Sequence, residues 1–197
     1  MSIFKHSIDG PVPKPACMQT YTGISFDLFL PSRNQVDIID IAHGLSRICR
    51  FGGHTVNFYS VAEHSIHVAA IASTRLEAKV ALLHDAHEAY LGDTITPLKT
   101  DRHRELEKWY DDMILYKYLT SGELKLLRFS IFDSVKALDI RMLTAEVEKC
   151  LSKPLCPWWS KVGQPRPSDL ELIQEWDPPT AKKNFLIMFN DLFGAAK

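Results

Sequence analysis

FYSVAEHSIHVAAIA (58–72) and LEAKVALLHDAHEAYLG (76–92) are the stretches that decide the fold. In the first, Ser60 and Glu63 have the spacing of a helix cap and its third residue, and Val61, His64, Ser65, Val68, Ile71 and Ala72 then recur on one helical face. In the second, Val80, Leu83, His84, His87 and Leu91 share a stripe of a helix predicted from about Leu76 to Tyr90, with Gly92 close after its end. In both, histidine interrupts a face that packing would keep apolar.

Working outward, Ile38, Ile41, Ala42, Leu45 and Ile48 trace a helix that starts at Asp37 and is stopped by Gly52-Gly53. Downstream, Leu106, Trp109, Met113 and Tyr116 predict a helix over 105–119, and Gly122 breaks it before a short apolar piece at 124–132. Val135, Leu138, Asp139, Met142, Glu146 and Val147 predict another over 133–151, and Phe185, Met188, Phe189 and Leu192 a terminal one over 181–193. Pro154, Pro157, Pro165, Pro167, Pro178 and Pro179 are too many for a helix to run through 152–179. Pro11, Pro13, Pro15 and Pro31 make residues 1–36 an irregular arm, with a short extended piece at Gln19 to Phe26. The reading is one all-α domain: an arm (1–36), a helical core (37–151), then a proline-rich connection and final helix (152–197).

At 197 residues, with 46% hydrophobic and 24% charged residues, the chain can bury a core without disulfides. Its net charge of −1 leaves no electrostatic footprint for duplex nucleic acid or an anionic membrane. The four cysteines form no CxxC pair, which fits a reducing cytoplasm, and MSIFKHSIDGPVPKP carries prolines where a signal peptide would be apolar. No apolar run reaches the length of a membrane span.

His64, His84, Asp85, Glu88 and Asp139 stand where packing wants apolar side chains. Buried unpaired, each would cost several kcal/mol, so something must satisfy them. Two arrangements do so: a hydrogen-bonded core, or a metal ion. A mixed set of imidazoles and carboxylates suits Mn, Fe, Co, Ni or Zn better than Mg. Neighbours on a helix point about 100° apart, so an ion shared by His84 and Asp85 must sit between their arcs.

The order His64, His84-Asp85, Asp139 resembles the H…HD…D signature of the HD-domain metal-dependent phosphohydrolases. ICRFGGHT (48–55), FYSVAEHS (58–65), ALLHDAHEAYLGDTITPLK (81–99) and VKALD (135–139) are similar to words of the small HD hydrolases related to bacterial 5′-deoxynucleotidases and common in phages. The match covers about residues 37–147; the proline-rich tail is only loosely similar. The resemblance implies an HD-domain helical bundle with His64, His84, Asp85 and Asp139 as ligands of a divalent metal, and Mg is a candidate for an additional ion. It implies that Glu88 works on the water or the leaving group beside Asp93, and that Arg50 and Lys136 bind phosphate. Phe51 stands where the family commonly has tryptophan after the arginine. Alarmone hydrolases resemble an HDxxED word, and here Ala89 replaces the second carboxylate; the GYP word of the cyclic-dinucleotide class does not occur.

Spacing agrees with two of these roles. Glu88 follows His84 by one turn, about 6 Å along a helix axis, and Lys136 precedes Asp139 by three residues on the same face. Among the remaining histidines, His54 is a candidate for the phosphate pocket, His67 and His87 for hydrogen-bonded support of the ligands, and His6, His43 and His103 for surface or packing roles. Trp158 and Trp159 read as packing residues ahead of a lid or an oligomer contact. The expected activity is hydrolysis of a deoxynucleotide, with dATP triphosphohydrolase ahead of 5′-deoxynucleotidase, in the cytoplasm of a bacterium or phage-infected host. The resemblance further implies a homo-oligomer acting on a small molecule. The reading from another class is a metal- or nucleotide-binding module without turnover.

Overall fold

The computed structural model describes residues 16–127, 130–153, 156–159 and 162–194. Pro11, Pro13, Pro15, His6 and Pro154 lie outside the described residues. The fold is predominantly α-helical, as the periodicity predicts. Its helices are α1 (Ile38–Leu45), α2 (Val61–Ala70), α3 (Arg75–Leu83), α4 (Glu88–Leu91), α5 (Asp101–Tyr118), α6 (Ser121–Leu126), α7 (Ile131–Cys150), α8 (Pro167–Leu172) and α9 (Pro178–Phe193). One antiparallel hairpin, β1 (Cys17–Gln19) with β2 (Ser25–Asp27), precedes them.

The hairpin corrects the extended piece expected at 19–26, because the chain reverses in its middle. Thr20 accepts the amides of Gly23 and Ile24 on its backbone and side chain, and Gly23 takes φ 89°, a left-handed value that only glycine adopts without strain. Helix α1 ends at Leu45 instead of reaching Ile48. The backbone at 48–50 pairs with 59–61 instead: Val61 donates to Ile48 and Arg50 to Tyr59, closing a bridge between Cys49 and Ser60. Gly122, expected to break the chain before the apolar piece at 124–132, instead lies inside α6, which runs into that piece and which Thr120 and Glu123 cap reciprocally. The proline-rich connection contains α8, with Pro167 in its first turn, where a missing amide is harmless. Helix α9 starts at Pro178 for the same reason, with the Asp177 carboxylate accepting from Thr180.

The largest change falls in the decisive stretch. The helix predicted over 76–90 breaks after Leu83 into a tight turn and restarts at Glu88. His84 causes the break, because its Nδ1 donates 2.7 Å to the Ala81 carbonyl, the acceptor that the Asp85 amide would use in an unbroken helix. The bonds then shorten in register, Ala86 to Leu83, Glu88 to Asp85 and Ala89 to Ala86.

Helix α2 is the centre of the molecule: every residue from Val61 to Ala69 is buried, which explains why its polar members need partners. It packs on α3, α7 and α9, and α1 covers α4 and α9. Ser60 caps it by accepting from Glu63, as its spacing predicts. The Glu63 side chain does not return to the cap. Its carboxylate takes the consecutive amides of Gln174, Glu175 and Trp176, tying the segment before α9 onto α2. Tyr59, Tyr110, Phe26, Phe185, Ile41 and Leu45 fill the surrounding core.

Helices α1 and α4 touch at Gly44, where an added Cβ would stand 3.0 Å from Ala89 Cβ and 3.2 Å from the Ala89 carbonyl oxygen. Gly44→Ala is therefore expected to destabilise the fold by about 1–3 kcal/mol. Urea unfolding measures it, and an unchanged midpoint would contradict the contact.

Candidate metal centre

Three separate elements bring the predicted ligands together, His64, His84 and Asp85 as one compact group and Asp139 beside it through His64. Helix α2 supplies His64, the turn after α3 supplies His84 and Asp85, and α7 supplies Asp139. His64 Nε2 lies 3.2 Å from His84 Nε2, 3.3 Å from Asp139 Oδ1 and 3.6 Å from Asp85 Oδ2, and His84 Nε2 is 3.1 Å from Asp85 Oδ2. Donor atoms of His64, His84 and Asp85 all fall within 4.8 Å of one another. The i→i+3 turn solves the problem of adjacent residues pointing apart, since it folds the Asp85 carboxylate back over His84.

The opposite ring nitrogens decide what the pair can hold. Nδ1 of His64 sits 2.5 Å from Glu146 Oε1, and Nδ1 of His84 sits 2.7 Å from the Ala81 carbonyl. Both partners only accept, so both Nδ1 atoms carry protons and, in neutral rings, both Nε2 atoms present lone pairs to each other. Two lone pairs 3.2 Å apart beside two carboxylates repel unless a proton or a metal ion joins them. Ligand atoms bonded at roughly 2.1 Å to one ion stand about 3.0–3.4 Å apart, so the donor set fits a divalent metal. The field shows the same demand for positive charge. Burial alone would lower His84, yet Asp85 and Asp139 raise it to about 9. Burial and Arg50 would lower His64, and Glu146 and Asp139 outweigh them and raise it.

Behind the ligands lies a layer that the sequence reading did not assign. Glu146, fully buried on α7, accepts from His64, from Tyr59 OH at 3.0 Å and from Arg50 Nε and Nη2 at 3.2 and 2.9 Å. Burial would raise its carboxyl, but the Arg50 guanidinium and His64 hold it down at about 2. The available signal was its position seven residues after Asp139, two turns along the same face of α7. Arg50 thus belongs to the cluster through Glu146, with Nη1 3.7 Å from Asp85.

Glu88 is buried, and its Oε2 has no hydrogen-bond partner among the described residues. Burial raises its carboxyl to about 9, helped by the negative charges of Asp85 and Asp93. Asp93, half-buried, is raised by burial and by Asp85, with Arg50 opposing. Lys136 is largely exposed at the rim and donates to Asp139 Oδ2 at 2.6 Å. Phe51 lies in the turn after Cys49 at φ 56°, beneath the Arg50 guanidinium and edge-on to Trp159. His54 is exposed just past that turn and makes no contact with the cluster among the described residues. His67 pairs with Glu63 and packs beside Trp176, whereas His87 turns to α5, donating to Asp111 at 2.7 Å.

Ala89 has a packing reason: Gly44 closes on it, so the position after Glu88 holds no second carboxylate.

Fold and cluster together define an all-α protein with a partly buried histidine–aspartate candidate metal centre. No protein-family model matches the chain. The uncharacterized protein RCAP_rcc00048 of Rhodobacter capsulatus is 34% identical over 144 residues, covering 69% of this chain and 74% of that protein. The chain belongs to the same family as RCAP_rcc00048. The uncharacterized protein YfdR of Escherichia coli is 38% identical over 103 residues, 51% of this chain, and the match spans 57% of YfdR.

Glu146→Gln leaves the shape of the side chain but weakens the acceptor that fixes the His64 tautomer. Affinity for Mn or Co is expected to fall about 10–100-fold. Equilibrium dialysis against buffered metal measures it, with circular dichroism as the check on folding; an unchanged affinity would contradict the assigned role.

Proposed function

We propose that this protein is a metal-dependent phosphohydrolase of deoxynucleotides, and that dATP is its substrate, cleaved to deoxyadenosine and triphosphate. The observation that carries the reading is the facing pair of Nε2 atoms of His64 and His84, flanked by Asp85 and Asp139, beside a buried carboxyl with an oxygen unpartnered among the described residues. A non-catalytic metal site has no use for the last feature. The resemblance of its sequence words to the HD-domain phosphohydrolases points the same way.

His64, His84, Asp85 and Asp139 would hold the ion, and Glu146 and the Ala81 carbonyl fix the two rings for it. A divalent cation there supplies polarisation of a phosphoryl oxygen and acidification of water. Arg50, anchored by Glu146 and aimed past Asp85, offsets phosphate charge, with Lys136 at the rim. Lys99, held by Glu107 at 2.8 Å and within the field of Glu88 and Asp85, adds a third cation, which favours a polyphosphate over a monophosphate. Water adds to the α-phosphorus, the bond from phosphorus to the 5′ oxygen breaks, and Glu88 delivers its proton to that oxygen. The proton lost by water returns to Glu88, closing the balance.

No described helix is long and apolar enough to cross a membrane. The cytoplasm as working compartment and assembly into a homo-oligomer are proposed with the activity.

Purified protein with Mn, Co or Mg is offered dNMPs and dNTPs, and products are separated by ion-exchange chromatography. Triphosphate with deoxyadenosine from dATP is the expected result. Phosphate from dAMP alone would replace it with a 5′-deoxynucleotidase, and no product from either would leave a binding module.

Glu88 acts while protonated, so turnover is expected to hold at lower pH and fall as pH rises through its folded pKa, raised above the ordinary 4.5 toward about 9. A cation beside Asp85 draws that limb back toward neutrality. A kcat–pH profile measures it, and Glu88→Gln should lose the limb together with about 10²–10⁴ in rate. A Glu88→Gln enzyme with the wild-type profile would contradict the assignment.

A further inference from the structure

Between the ligand Asp85 and the carboxyl Glu88, the chain turns His87 away from the cluster. The ring is buried and its Nδ1 donates 2.7 Å to Asp111 Oδ1, while its Nε2, 3.6 Å from Glu107 Oε1, makes no hydrogen bond among the described residues. Glu107 and Asp111 stand one turn apart on α5, so they present both carboxylates from one face. Glu107 also takes Lys99 Nζ at 2.8 Å, which ties down the segment that follows Asp93. The next residue after Glu88, Ala89, is wedged against Gly44 of α1. The short turn carrying His84, Asp85 and Glu88 is therefore gripped from two sides, by packing at Ala89 and by polar contacts at His87.

Glu88 itself has little else to aim it. Its Oε2 has no hydrogen-bond partner among the described residues, and the turn beneath it is held by i→i+3 bonds rather than a continuous helix ladder. Its direction thus depends on how firmly residues 87 and 89 are seated. We propose that His87 is a positioning residue, fixed through its Nδ1 by Asp111, that aims the Glu88 carboxyl at the reacting phosphate ester. The inference rests on the phosphohydrolase reading above. His87 makes no hydrogen bond to the ligand cluster, and beside the pull of its charge on Asp85 and Glu88 its effect passes through the backbone to its neighbour. Misplacement of a reacting group by about 1 Å can lower a rate by about 10²-fold, so a loose turn shows in turnover before it shows in binding.

The test compares wild type with His87→Ala, His87→Gln and Asp111→Asn, all loaded with Mn. His87→Ala is expected to lower kcat by about 10–100-fold on the substrate the wild type turns over, with KM and bound Mn within twofold of wild type. His87→Gln, which keeps a donor toward Asp111, should recover part of that loss, and Asp111→Asn should fall between. A purely structural role would instead lower the folded fraction and bound Mn in step with activity, with no recovery by glutamine, and that result overturns the proposal. So does a wild-type kcat in His87→Ala. If wild-type protein hydrolyses no nucleotide, the phosphohydrolase reading fails separately, and hydrogen exchange of the peptide spanning 84–91 tests the seating itself. Faster exchange there in His87→Ala, with α2 and α7 unchanged, supports it, and unchanged exchange overturns it.

Discussion

Two imidazole nitrogens that face each other at 3.2 Å, each with its proton committed to the far side of the ring, are the constraint around which this protein is arranged. Neither ring can turn to relieve the contact without abandoning a buried acceptor, Glu146 in one case and the Ala81 carbonyl in the other. Such a pair is tolerable only beside positive charge, and Asp85 and Asp139 raise the demand further. The fold meets the geometric half of that demand by placing His64 on its most buried helix and by opening the α3–α4 segment at His84.

That opening links local structure to chemistry. A regular helix through 76–90 would satisfy more backbone bonds, but it would point Asp85 away from His84. The histidine takes the Ala81 carbonyl, the ladder shortens to i→i+3, and the carboxylate swings onto the ring nitrogen. The same turn leaves Glu88 buried with an open oxygen, so one backbone feature prepares both the cation site and a proton donor. Arg50 and Glu146 connect this centre to the segment after α1, where the chain leaves its helix to pair with the start of α2.

Much of this was legible in the residues. Apolar periodicity located the helices, because their buried stripes are long and regular, and histidine or aspartate on those stripes marked the candidate ligands. Boundaries were less legible where a side chain competes with the backbone, as at His84, or where a distant segment claims the chain, as at Ile48 and Val61. The hairpin at 17–27 was missed as a hairpin because its strands are too short for alternation to register, and its turn is made by Thr20 and Gly23 without an Asn-Gly signal. Glu146 was visible only as a polar residue on α7. That it anchors His64, Arg50 and Tyr59 together depends on three-dimensional convergence across residues 50 to 146, which spacing does not encode. Glu63 fits a capping-box pattern, and its use as an acceptor for three amides near 175 follows from burial of α2.

The central claim is that His64 and His84 share one cation through Nε2. X-ray absorption on protein loaded with one equivalent of Co would test it most directly. The account predicts a single tightly held ion with two imidazole nitrogens in its shell, reduced to one in His84→Ala. A cobalt spectrum without imidazole scattering, or one that is identical in His84→Ala, would contradict it.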